Sequence, residues 1–141
     1  MNQGEIVLAA MAPADGAPHT PVQVQKLFFL IDRNIAELVD GPHFDFHPWN
    51  YGPFDKAVYA ALRELASEGH VDMIPKRSWM SYKLSVSGQE LGEQLLDGLP
   101  PKAQEFMKKA SRFVRQLTFT QLVSAIYKAY PQMRANSVFQ S

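Results

Sequence analysis

The chain contains no cysteine. That excludes disulfides, a thiol nucleophile and thiolate-ligated zinc, and it fits a cytoplasmic protein. Long apolar runs are also missing. The dense run from Leu27 to Ile31 is far too short to cross a bilayer, so no membrane partner is expected. The opening segment MNQGEIVLAAMAPADG carries Glu5 where an export signal needs Lys or Arg, and it reads as a helix. The signature loops of common enzymes are absent too. There is no G-x-S-x-G elbow. No G-x-G-x-x-G occurs, and GPFDK lacks the spacing of a phosphate loop. The acidic residues are scattered, with no pair spaced for general acid and base work. The expectation is a protein that is not an enzyme, with no catalytic residue and no cofactor.

Net charge is absent as well, but the zero hides a split. Residues 1–101 hold seven Lys/Arg against thirteen Asp/Glu, a net of −6. Residues 102–141 hold seven Lys/Arg against Glu105 alone, a net of +6. Either the two halves attract each other within one globule, or the C-terminal end meets a charged partner.

What is present suits one domain. The chain has 141 residues, enough to bury a core without staples. Ile6 to Met11 reads as a short first helix. Thr20-Pro21-Val22-Gln23 is a capping box with proline at the first helical position. It opens a second helix whose stripe is Val24, Leu27, Phe28, Ile31, Ile35 and Leu38. Gly41-Pro42 is expected to stop that helix, with glycine as its left-handed cap. HFDFHPW alternates like a short strand ended by Pro48. A third helix is expected to start directly after Gly52-Pro53, with Phe54, Val58, Ala61, Leu62 and Leu65 facing the core. HVDMI and SWMSYKLSV read as a hairpin with Pro75-Lys76-Arg77 at its tip. Ser87-Gly88-Gln89-Glu90 reads as a capping box for a fourth helix.

Gly98-Leu99-Pro100-Pro101 is the clearest internal break. A fifth helix follows, from about Lys102 to Leu117. Its apolar arc holds Ala103, Phe106, Met107, Ala110, Phe113, Val114 and Leu117. Lys102, Lys108, Lys109, Arg112 and Arg115 fall opposite. Thr118-Phe119-Thr120-Gln121 caps a sixth helix, which Pro131 ends. The tail is loosely ordered unless Val138 and Phe139 dock. The expected fold class is α+β, mostly helical. Helix, helix, helix, hairpin, helix is the order of a winged-helix domain with a two-stranded wing, over 1–99. Residues 100–141 would be a C-terminal helical pair packed on it as one globular unit. The apolar faces of that pair can close on their own domain or across a two-fold axis into a homodimer.

Three surfaces compete for a role. His43, Asp45 and His47 share one face of the predicted strand, a ligand set that suits iron or zinc. Same-face neighbours on one strand converge poorly on one ion, so the wet face of an edge strand is preferred and no metal is expected. The wing tip, Lys76 and Arg77, suits phosphates. So does the basic arc of the fifth helix, Lys108, Lys109, Arg112 and Arg115, unless it is an ordinary solvated face. The third helix carries Lys56 and Arg63 against Asp55, Glu64 and Glu68, which disfavours it as a DNA reader. The linker from Gly41 to Gly52 is also long for a helix-turn-helix. Trp49 and Tyr51 sit between Pro48 and Gly52-Pro53 on a stretch with few rotatable options. Rings held on rigid backbone lose little entropy on docking and make effective contact points. Either they do this, or they fold back as lids on the core beside Phe44 and Phe46.

At these residues the chain resembles a known family. VQKLFFLIDRN followed by PWNYGPFDKAVYAAL is similar to the Panacea, or SocA-like, antitoxin domain, and to the uncharacterised YwgA-like proteins. The shared pattern is a lysine-containing helix, then Tyr-Gly-Pro, then a helix with an early tyrosine. It covers roughly residues 20–75, and FTQLVSAIYKAYPQM looks closer to the YwgA-like branch. The resemblance implies a small, non-enzymatic, mostly helical module that neutralises a toxin, or acts as a proteolytic adaptor, by direct contact. It implies a partner protein encoded nearby, in a phage-defence or phage-derived setting. The residues that match the signature are Trp49, Tyr51, Gly52, Pro53 and Tyr59, and these are the expected partner-binding residues. The alternative is a winged-helix nucleic-acid binder using Lys76, Arg77 and the arc of the fifth helix.

Overall fold

The computed structural model describes residues 1–139. It is α+β and mostly helical, with 60% of the chain in helix and two small antiparallel sheets. The elements in chain order are α1 (Gln3–Met11), α2 (Pro21–Asn34), β1 (His47–Trp49), β2 (Gly52–Phe54), α3 (Lys56–Ser67), β3 (Val71–Pro75), β4 (Met80–Leu84), α4 (Val86–Asp97), α5 (Pro101–Gln116) and α6 (Phe119–Ala129). Short 3₁₀ turns follow α1, α2 and α6.

α1 is the centre of the molecule. Ile6 through Met11 are all buried, as befits a helix that is apolar on every side. It starts earlier than the apolar run, because Asn2 and Glu5 form a capping box ahead of it. α4 packs closely through two glycines, Gly92 against α1 and Gly88 against the backbone just before β3. A Cβ at Gly92 would overlap the Leu8 carbonyl, and one at Gly88 would overlap the carbonyl of His70. α2 lies under α5, and its Leu27, Phe28, Phe29 and Ile31 are wholly buried. α5 also packs on α1 and the turn after it, which ties residues 101–116 to the N-terminal elements. α6 adds Leu122 and Ile126 to the same core.

Several local expectations need correction. α2 stops at Asn34 rather than at Gly41-Pro42, and the left-handed residue is Asp40 (φ 59°) rather than Gly41. Residues 43–46 are not strand. Asp32 accepts from the backbone N–H of His43 and of Phe44 at 2.9 Å each and holds that segment to α2, with Phe44 and Phe46 packed on the core. Gly52-Pro53 does not start a helix. Gly52, Pro53 and Phe54 pair with His47, Pro48 and Trp49 as a second, very short hairpin. α3 begins three residues past Pro53, because Asp55 is its N-cap and accepts from Ala57 N at 2.9 Å. The cap of α4 is Ser85, not Ser87. The Ser87 hydroxyl is used elsewhere, against the Gly69 carbonyl and His70.

The larger hairpin runs as expected, with Val71 opposite Leu84 and Pro75 opposite Met80. Its outer edge takes one further bridge, from His19 to Tyr82. The His19 ring is fully buried there, and neither ring nitrogen has a hydrogen-bond partner among the described residues. Burial, reinforced by Arg115, pushes the imidazole down to about 4, so the ring is neutral.

Candidate functional site

The β1–β2 hairpin is built for rigidity. Asn50 and Tyr51 form a two-residue turn between Trp49 and Gly52, which lie opposite each other. Gly52 has φ 105°, a conformation that side chains rarely adopt. A Cβ there would find only ordinary contacts with Tyr127 and Lys26, so the dihedral rather than space demands glycine. Pro53 is tolerated because the strand is an edge.

α2 holds this hairpin from below with two buried polar side chains. Gln25 pairs with the backbone of Asp55 in both directions: its Nε2 donates to Asp55 O at 3.0 Å, and its Oε1 accepts from Asp55 N at 2.9 Å. Lys26 is 3% exposed, and its Nζ donates to Pro53 O at 3.3 Å. Among the described residues no carboxylate pairs with this ammonium. Burial alone pushes it down to about 7.

The C-terminal segment holds the hairpin from the side. Val138 N donates to Asn50 O at 3.0 Å, and Asn136 Nδ2 donates to Pro48 O at 3.2 Å. Tyr127 donates to Ser137 Oγ at 2.7 Å, and the Phe139 ring meets Phe119 and Tyr127. The tail therefore docks, through the Val138 backbone and the Phe139 ring, while the Val138 side chain stays exposed.

Above α2 these elements enclose a groove of about 740 Å³. Trp49, Tyr51, Gly52 and Phe54 come from the hairpin, and Tyr59 from α3. Trp79 comes from the tip of the β3–β4 hairpin, and Phe119 from the start of α6. Trp49, Tyr51, Trp79 and Phe119 are 53%, 44%, 46% and 44% exposed, so their rings are neither lids on the core nor free in solvent. Tyr51 meets Phe119 edge-on at 5.1 Å. Trp49, Phe54, Tyr59 and Tyr82 form a continuous line of rings with successive centroids 6.2, 5.8 and 6.1 Å apart. Among the described residues that line the groove, Lys26 alone has a basic or acidic side chain.

The structure brings Trp49, Tyr51, Gly52 and Tyr59 to this groove. Pro53 is buried just beneath, where its carbonyl serves Lys26. Lys76 and Arg77 are exposed in the turn that supplies Ser78 and Trp79, but they do not line it. Lys108, Lys109, Arg112 and Arg115 lie elsewhere, on α5. Lys109 pairs with Glu105 at 2.8 Å on the exposed face of α5, whereas Arg115 is half-buried and donates to the buried Ser111 hydroxyl at 3.1 Å. His43 spends its Nε2 on Val39 O, whereas His47 pairs with Asp45 at 3.0 Å. Among the described residues no group of three His, Asp or Glu could hold a metal.

Sequence patterning missed Gln25, Lys26, Trp79 and Phe119. One signal for the first two was available. Gln25-Lys26 is a polar pair between Val24 and Leu27, at positions that turn toward neither a clean apolar stripe nor a clean polar one. The chain matches no protein-family model, no curated protein and no solved structure.

Proposed function

We propose that the protein is a non-enzymatic regulator that acts by direct contact with a partner protein, of the antitoxin or proteolytic-adaptor type. The partner seats on the groove edged by Trp49 and Tyr51. The observation that carries this reading is that four large rings, each about half exposed, border one groove on three separate elements. Large aromatics on rigid backbone, around a concavity of this size, are what partner binding favours. The resemblance of residues 20–75 to the antitoxin domain points the same way, and a cytoplasmic location goes with it. Among the described residues no helix is long and apolar enough to cross a membrane.

The test is co-expression of the full chain with the product of the adjacent gene. Relief of that product's toxicity, lost in the Trp49→Ala/Trp79→Ala double variant, supports the reading. A neighbour that is harmless alone removes the antitoxin role. The second reading is a winged-helix nucleic-acid binder, favoured by the exposed Lys76 and Arg77 at the hairpin tip. It requires duplex DNA binding with a steep salt slope, and no binding at low salt excludes it.

A further inference from the structure

We propose that the groove recognises a partner segment in which one carboxylate side chain is flanked by large apolar residues, the carboxylate docking toward Lys26 and its neighbours packing on Trp49, Tyr51, Trp79 and Phe119. The inference rests on the protein-binding reading and names its chemistry.

Three observations carry it. The groove walls are predominantly aromatic and aliphatic, which selects an apolar body. Among the described residues the one ionisable basic group in the lining is Lys26, which selects a single anion. That cation is under-satisfied. An ammonium has three donors, and here one carbonyl accepts, at 3.3 Å. Thr20, Pro21, Val22 and Gln23 also line the groove, so the N-terminal turn of the 14-residue α2 adds the positive end of its dipole. Burial without a counter-charge is also why the amine is held down to about 7, and an incoming carboxylate would restore its charged form. The occupant is a protein segment rather than a small acid, because rings on three elements border the groove and a single small side chain would leave most of them bare.

The experiment uses the full chain as bait for a phage-displayed random heptapeptide library, selected in parallel on Lys26→Met and Trp79→Ala. The chain has two tryptophans, both lining the groove, so their fluorescence reports occupancy by synthetic peptides made from the enriched sequences. The expected result is enrichment of Asp or Glu beside aromatic or long aliphatic residues. A Glu-to-Gln peptide should bind about tenfold weaker to the native chain, and the two peptides should bind equally to Lys26→Met. Circular dichroism checks that each variant folds. If Lys26→Met does not fold, the same peptides titrated against Trp79→Ala must lose affinity for the inference to stand. Enriched peptides without an acidic preference would overturn the inference and leave protein binding intact. A selection that enriches nothing would sink both.

Discussion

Lys26 is the residue with the clearest cost to the fold. A buried ammonium with one long hydrogen bond is a burden on the fold. Unfolded, the amine releases its proton near 10.5, whereas in the folded chain it does so near 7. Between those values the unfolded chain holds more protons, so this group's contribution to stability improves as pH rises through the window. The penalty is complete below about pH 7. Lys26→Met should therefore gain most over the native chain at pH 6. That gain should shrink by roughly 2–4 kcal/mol as pH rises to about 10. Paired urea titrations at the two pH values check this. A pH-independent difference would mean that the ammonium reaches water. A residue that weakens the fold and also lines a groove of aromatic rings is a candidate for function on physical grounds alone.

At the scale of elements, α4 depends on glycine for space rather than for dihedral freedom, at Gly92 against α1 and at Gly88 against the His70 carbonyl. Gly88 and Gly92 are helical, so alanine would raise helix propensity by about 1 kcal/mol at each. The overlap with backbone carbonyls outweighs that gain, because backbone cannot step aside as a side chain can. Gly92→Ala is expected to destabilise by about 1–3 kcal/mol, read as a fall in the midpoint of thermal unfolding. Gly98→Ala is the control, since its nearest neighbours are 3.6 Å away and its φ is ordinary. It should be neutral or slightly stabilising. Equal losses at both positions would refute close helix approach as the cause. The β1–β2 hairpin makes a related point. Three residues per strand cannot stand alone, and this one is held by Gln25 and Lys26 from α2 and by the chain around Ser137.

At the scale of the whole molecule, the charge split and the groove are separate features. Lys108, Lys109 and Arg112 on α5 are exposed and stand outside the groove lining, whereas Arg115 is half-buried and acts on the His19 ring. Surface charge of that kind governs encounter more than fold. The exposed rings are the feature with a cost, since apolar surface left wet forgoes burial. Trp49→Ala should lower the unfolding midpoint by no more than a few degrees, because the side chain is 53% exposed. The native chain's emission should be red-shifted and quenched by acrylamide, as both tryptophans reach water. A blue-shifted spectrum, or a drop above ten degrees, would place Trp49 in the core.

The sequence by itself determined the mostly helical α+β class, the order of the helices and the larger hairpin. It also determined the caps at Thr20 and Thr118. These follow from periodicity and from hydrogen bonds within a few residues of each other. It marked Trp49, Tyr51 and Tyr59 as rings worth explaining. Tertiary structure alone decided the rest. Pro53 reads locally as a helix start, but Gln25, thirty residues away along the chain, holds the Asp55 backbone where a cap is needed. Ser87 reads locally as a cap, but its hydroxyl is drawn to the Gly69 carbonyl and to the His70 ring, the latter seventeen residues away along the chain, and Ser85 caps α4 instead. Lys26 reads locally as a break in an apolar helix, and only its position under Pro53 brings its amine to a groove of rings. Contacts distant in sequence decide where a boundary falls and which way a side chain faces, and short-range patterns do not encode them.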